Sequence, residues 1–155
     1  MSMTEAKTVF NTLCRTLDNM GWRYDKDESK LVIFTGARGE DLSMRLNIKV
    51  DADRNVMFLK SPMPFEAPKD KSFELAIATT MANWTMLNGC FEVDLSDNWC
   101  AFKIVIPFMG CTISEEACNY MIRLSCSLVD KFNDKFDALV KDRMSLEEFA
   151  AFCRG

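Results

Sequence analysis

The sequence predicts an α+β domain in which helices pack an antiparallel sheet, in the order α-β-β-β-α-β-β-α with a short C-terminal helix added. Three observations carry this. Leu42, Met44, Leu46, Ile48 and Val50 alternate with Ser43, Arg45, Asn47 and Lys49, the two-residue period of a strand with one dry and one wet face. Phe91, Val93 and Leu95 alternate with Glu92 and Asp94 before a Ser96-Asp97-Asn98 turn and a further strand to Pro107, the pattern of a hairpin. Helical spacings flank and separate these runs. No repeat or linker divides the chain, so residues 1–155 read as one domain able to bury its own core.

Taken in order, Ala6, Val9, Phe10, Leu13, Leu17 and Met20 recur at helical spacing from Thr4 to Met20, and Gly21 sits where a left-handed residue ends a helix. Leu31 to Thr35 is a short β-rich run, followed by the strand at Leu42 to Val50. Asp51-Ala52-Asp53-Arg54-Asn55 is turn chemistry, and Val56 to Lys60 completes a three-stranded meander. Pro62, Pro64 and Pro68 break regular structure in a loop that Met63 and Phe65 hold against the body. Ser72 or Asp70 is placed to cap a second helix, which reaches Leu87 and stops at Asn88-Gly89. Thr112-x-x-Glu115, with Ser114 as the alternative cap, opens a third helix. Its apolar stripe is Ala117, Met121, Leu124, Leu128 and Phe132, and Asn133-Asp134 marks a bend or an end. Ser145-Leu146-Glu147-Glu148 is a capping box for a last helix from Leu146 to Phe152.

From Asn83 to Phe152 the chain runs through a helix end, an acidic hairpin, a strand leaving at Pro107 and the helix start Thr112-Ile113-Ser114-Glu115-Glu116. In this order it resembles the bacterial YbjN family, described as candidate sensory transduction regulators and similar in fold to the small acidic chaperones of type III secretion. The N-terminal half shares the element order and the Gly21-Trp22 step. The resemblance implies a type III secretion chaperone-like sheet packed by helices. It also implies a non-enzymatic protein-binding module, chaperone-like or a regulatory adaptor. Because the secretion-chaperone class dimerises largely through the region of the second helix, it further implies a homodimer. This chain differs in its load of Cys and Met, and in Asn98 where the hairpin turn often has glycine.

Composition limits the function. A formal charge of −4 and a pI near 4.9 disfavour nucleic acid as a partner. Seven cysteines without a C-x-x-C pair read as reduced thiols. Glu5, Lys7, Arg15 and Asp18 are scattered where a signal peptide would be apolar, and the charge-free run Leu75 to Phe91 is too short and polar for a membrane span. The expectation is a cytoplasmic protein with no membrane partner.

Histidine is absent, which removes the commonest general base and metal ligand together. Cys111, ahead of the third helix, is the one thiol near a helix start, and without a base it reads as a small apolar residue. Asp51, Asp53 and Asn55 begin like a calcium loop, but Val56 stands where it needs glycine and Pro62 where it needs a carboxylate. Gly36-Ala37-Arg38-Gly39 joins two strands, so positive φ in a hairpin explains both glycines. Glu92, Asp94, Asp97, Glu115 and Glu116 fit a wet strand face, a turn and a helix start. The chain is therefore expected to be no enzyme and to carry no cofactor or metal.

Two features point to protein binding. From Leu75 to Asn88 the second helix carries no charge, so either a second subunit meets Met81, Trp84, Met86 and Leu87, or the proline loop and chain ends cover them. The strands carry apolar residues of both parities, which offers Val32, Phe34, Met57, Leu59 and Trp99 as a face for a protein or peptide client. Eleven methionines suit an adaptable surface, although filling a core is their more frequent use. The alternative function is a small-ligand sensor, with an apolar pocket between long helix and sheet lined by Trp84, Phe102 and Met121.

Overall fold

In the computed structural model, which describes residues 3–155, helix α1 (Met3–Asn19) buries Ala6, Val9, Phe10, Leu13 and Leu17 on one face. Gly21 ends it at φ 70°. Four strands follow, β1 (Tyr24–Asp27), β2 (Val32–Arg38), β3 (Ser43–Asp51) and β4 (Val56–Pro62). The chain then leaves the sheet through the proline loop and a single 3₁₀ turn into helix α2 (Ser72–Trp84). Strands β5 (Cys90–Asp94) and β6 (Trp99–Pro107) precede the long helix α3 (Glu115–Val140) and the short helix α4 (Leu146–Arg154).

The sheet is antiparallel throughout, in the order β1-β2-β3-β4-β6-β5. Its register puts Ile33, Ile48, Leu59 and Ile104 in one row across four strands, and all four are buried. Helices cover that side. At the β5 end, Phe91 meets Phe102 and Phe136 with ring centroids at 5.3 and 5.0 Å, and Phe149 brings α4 onto Phe136 at 5.2 Å.

The expected α+β class and C-terminal helix are present, with one strand more than the sequence suggests. β1 is Tyr-Asp-Lys-Asp, an edge strand whose charges hide any alternation. The first expected strand begins one residue later, because Leu31 takes a left-handed φ of 52° in the β1–β2 turn and its carbonyl accepts from Val50 N. Gly36 and Gly39 do not have positive φ, which corrects the hairpin reading. Gly36 lies within β2, where a Cβ would come within 2.7 Å of the Met44 carbonyl oxygen, and a Cβ at Gly39 would strike the Asp130 carboxylate.

The helix signals also resolve. Ser114, rather than Thr112, caps α3 by accepting from Ala117 N, and the Ser145–Glu148 capping box forms in both directions. Neither Ser72 nor Asp70 caps α2, since the Ser72 hydroxyl donates to the Lys69 carbonyl instead. Asn133 does not interrupt α3, because its amide donates to the Asp130 carbonyl within the helix. Helix α2 stops at Trp84, short of Asn88, where the N–H and hydroxyl of Thr85 both turn back to the Ala82 carbonyl.

Candidate functional site

Helix α2 lies along β5 through small side chains, with Leu75, Ala78 and Ala82 buried beneath it. Asn83 completes the contact, its amide donating to the Phe91 carbonyl at 2.9 Å and its side-chain oxygen accepting from Phe91 N at 2.7 Å. Phe91 belongs to the outermost strand, so this one side chain satisfies the backbone groups that the sheet leaves unpaired there.

The outer face of the same helix is apolar except for Thr80. Phe73 is 72% exposed, Ile77 49% and Trp84 91%, and Leu87 continues the line beyond the helix end, fully exposed. Phe73, Ile77 and Trp84 fall at i, i+4 and i+11, a helical stripe about 16 Å long at 1.5 Å per residue that Leu87 extends past the helix end. Of the four expected interface residues, Trp84 and Leu87 lie on this stripe, whereas Met81 and Met86 are half-buried against the core. Among the described residues, neither the proline loop nor the chain ends cover it. Phe73 lies before Glu74 and so outside the uncharged run, Ile77 lies inside it, and the spacing of both with Trp84 is visible in the sequence. Glu74, the one charge on α2, accepts from Lys71 Nζ at 2.9 Å, and Lys71 also pairs with Asp142, which ties the helix start to the end of α3.

Away from the helices the sheet presents its other face to solvent. Val32, Phe34 and Trp99 lie there as expected, joined by Phe58 and Val105. Met57 and Leu59 do not. Both are fully buried on the helix side, since Leu59 pairs with Ile48 and Ile104 in the central row, and this corrects their assignment to a client face. At the β5 end, Lys60 Nζ approaches the Glu92 carboxylate at 2.7 Å and stands 5.7 Å from the Trp99 ring centroid, while Lys103 pairs with the other Glu92 oxygen. Burial alone would raise the Glu92 carboxyl, but the two ammonium groups hold it below its ordinary value.

The expected ligand pocket is not assembled. Phe102 and Met121 are fully buried in the core, and Trp84 points into solvent from the far side of α2. Nor do the thiols gather. Burial pushes Cys100 up to about 12 and both Cys118 and Cys126 up to about 11, while Cys111 is exposed in the loop before α3. Asp51 spends its carboxylate on the turn, accepting from Asp53 N and Arg54 N, and Glu115 is held low by Arg15 and Asn19 of α1. Among the described residues no group of three His, Cys, Asp or Glu could hold a metal ion, and no helix is long and apolar enough to cross a membrane.

No family model matches the chain, and no curated protein matches it. Among solved structures, the crystal structure of YbjN from E. coli, described as a candidate transcription regulator, superposes with a TM-score of 0.63. The match covers 86% of this chain and 92% of that one at 14% identity. The fold is YbjN-like. In this YbjN-like fold the outer stripe of α2 and the outer face of the sheet are exposed apolar surfaces.

Proposed function

We propose that the chain is a non-enzymatic, cytoplasmic protein-binding module, chaperone-like or a regulatory adaptor, acting as a homodimer through α2. The observation that carries this reading is the exposed row of Phe73, Ile77 and Trp84 on a helix whose only charge is already paired, extended by Leu87 just past its end. A stripe of this kind meets its own copy across a two-fold axis without like-charge repulsion. Each aromatic or aliphatic side chain so covered contributes about 1.5–3 kcal/mol. The likeness to YbjN agrees with a regulatory or binding role, and the raised thiols and missing histidine favour one without catalysis.

Sedimentation equilibrium tests the reading. The expected mass is twice 17.7 kDa for the native chain and 17.7 kDa for Ile77→Asp with Trp84→Asp, at an unchanged circular dichroism spectrum. A native monomer at micromolar concentration would remove the homodimer.

A further inference from the structure

We propose that the outer face of β1 to β3 binds an acidic segment of a partner protein, carboxylates on Arg23 and Arg45 and an apolar side chain on Phe34. Register builds the site. Gly36 pairs with Arg45, and Tyr24 pairs with Thr35, so Arg23 continues the row on the far side of Gly36. The Thr35 hydroxyl donates to the Arg23 carbonyl at 2.8 Å and fixes that end. Two strand spacings, about 10 Å, thus separate the backbones of two arginines, and the residue between them has no side chain. The close approach of the Met44 carbonyl demands this glycine, and its bare surface leaves a hollow that Phe34, 50% exposed in the next row, walls on one side. Arg23, Asp25, Phe34, Arg45 and Asn47 line one concavity, in which two guanidinium groups face a single carboxylate.

Charge selects the occupant. Among the described residues, Arg23, Arg38, Arg45 and Lys49 pair with no carboxylate, although the chain as a whole is at −4. Lys60 and Lys103, farther along the same face, are already neutralised by Glu92, so on this face of the sheet the unpaired positive charge lies on β1–β3. Guanidinium forks suit carboxylates, and an exposed ring beside them suits an apolar neighbour in an extended segment. With Asp25 the concavity carries a net charge of only about +1, which suits a segment with one or two spaced carboxylates better than a polyanion charged at every unit.

The proposal rests on the protein-binding reading but not on the dimer, and its test leaves α2 intact. A fluorescein-labelled eight-residue peptide of alternating Glu and Phe or Leu is titrated with the full chain by fluorescence anisotropy. The expected result is saturable binding that weakens about tenfold or more in Arg23→Gln with Arg45→Gln, and likewise in Phe34→Ala. A peptide with Gln in place of Glu binds as weakly as the double variant does, and Arg54→Gln, on the β3–β4 turn, keeps native affinity. All of these side chains are exposed, and unchanged melting temperatures confirm intact variants. No saturable binding up to about 1 mM, or equal binding by the double variant, overturns the proposal. Tighter binding of an oligothymidine of similar length, lost in the same variants, overturns it in favour of nucleic acid. Sedimentation of the native chain separates this outcome from failure of the dimer.

Discussion

Helix α3 buries Met121, Ile122, Val129, Phe132, Phe136 and Leu139 and turns Glu116, Arg123 and Lys131 to solvent, whereas α2 buries Leu75, Ala78 and Ala82 and turns Phe73, Ile77 and Trp84 outward. Apart from Tyr120, the large apolar side chains of α3 pack inward, whereas on α2 Leu75 and Met81 pack inward and Phe73, Ile77 and Trp84 face out. A surface helix finished by its own chain has the first arrangement. In α2 the small inner residues serve close approach to β5, and among the described residues nothing buries the large outer ones. The difference teaches that α3 buries its large apolar residues within this chain, whereas α2 leaves Phe73, Ile77 and Trp84 exposed, which is the ground for the proposed contact.

The sharpest way to break this comparison is to truncate a large residue on each helix. Phe132→Ala on α3 is expected to cost about 3–5 kcal/mol in urea unfolding, because a buried ring leaves a cavity. Phe73→Ala on α2, measured in the monomeric Ile77→Asp, Trp84→Asp background, is expected to change stability by no more than about 0.5 kcal/mol. Equal losses would mean that α2 is finished after all.

A smaller effect tests how α2 is attached. Asn83→Ala leaves both backbone groups of Phe91 without the partner they have now, and is expected to cost about 1–3 kcal/mol. Hydrogen exchange of the Phe91 amide should quicken more than that of the central rows, and unchanged protection would place the attachment of α2 elsewhere.

The smallest concerns Glu92, at the edge of the sheet that α2 covers. Its carboxyl is held below the unfolded value, so its contribution is fully present above the unfolded pKa and is lost as pH falls through the folded one. Glu92→Gln is therefore expected to flatten the acid limb of a melting-temperature profile while leaving the neutral limb parallel to that of the native chain. A native-like acid limb in the variant would assign that pH dependence to other carboxylates.

Much of the fold was legible because periodicity and caps survive into the structure. The alternation from Leu42 to Val50 became the buried face of β3, and Ser145 with Glu148 opened α4 as their spacing implied. β1 was not legible, since a four-residue edge strand with three charged residues has no dry face to announce it. Met57 and Leu59 were misplaced for a different reason. Val56, Met57, Phe58 and Leu59 are apolar at both parities, and only pairing with Ile48 and Ile104 decides which parity is inside. Trp84 was found from missing charge, and Phe73 and Ile77 from geometry. The Arg23–Gly36–Arg45 row was beyond the sequence altogether, because it joins three strands and depends on their register.

The claim that α2 is a contact surface is tested most directly at Trp84 itself. In a variant keeping Trp84 as its sole tryptophan, through Trp22→Phe and Trp99→Phe, the account predicts a short-wavelength emission maximum at high concentration. On dilution the maximum should shift to long wavelength along the same curve that sedimentation gives for dissociation. Emission at the long-wavelength, solvent-exposed position at every concentration would contradict it.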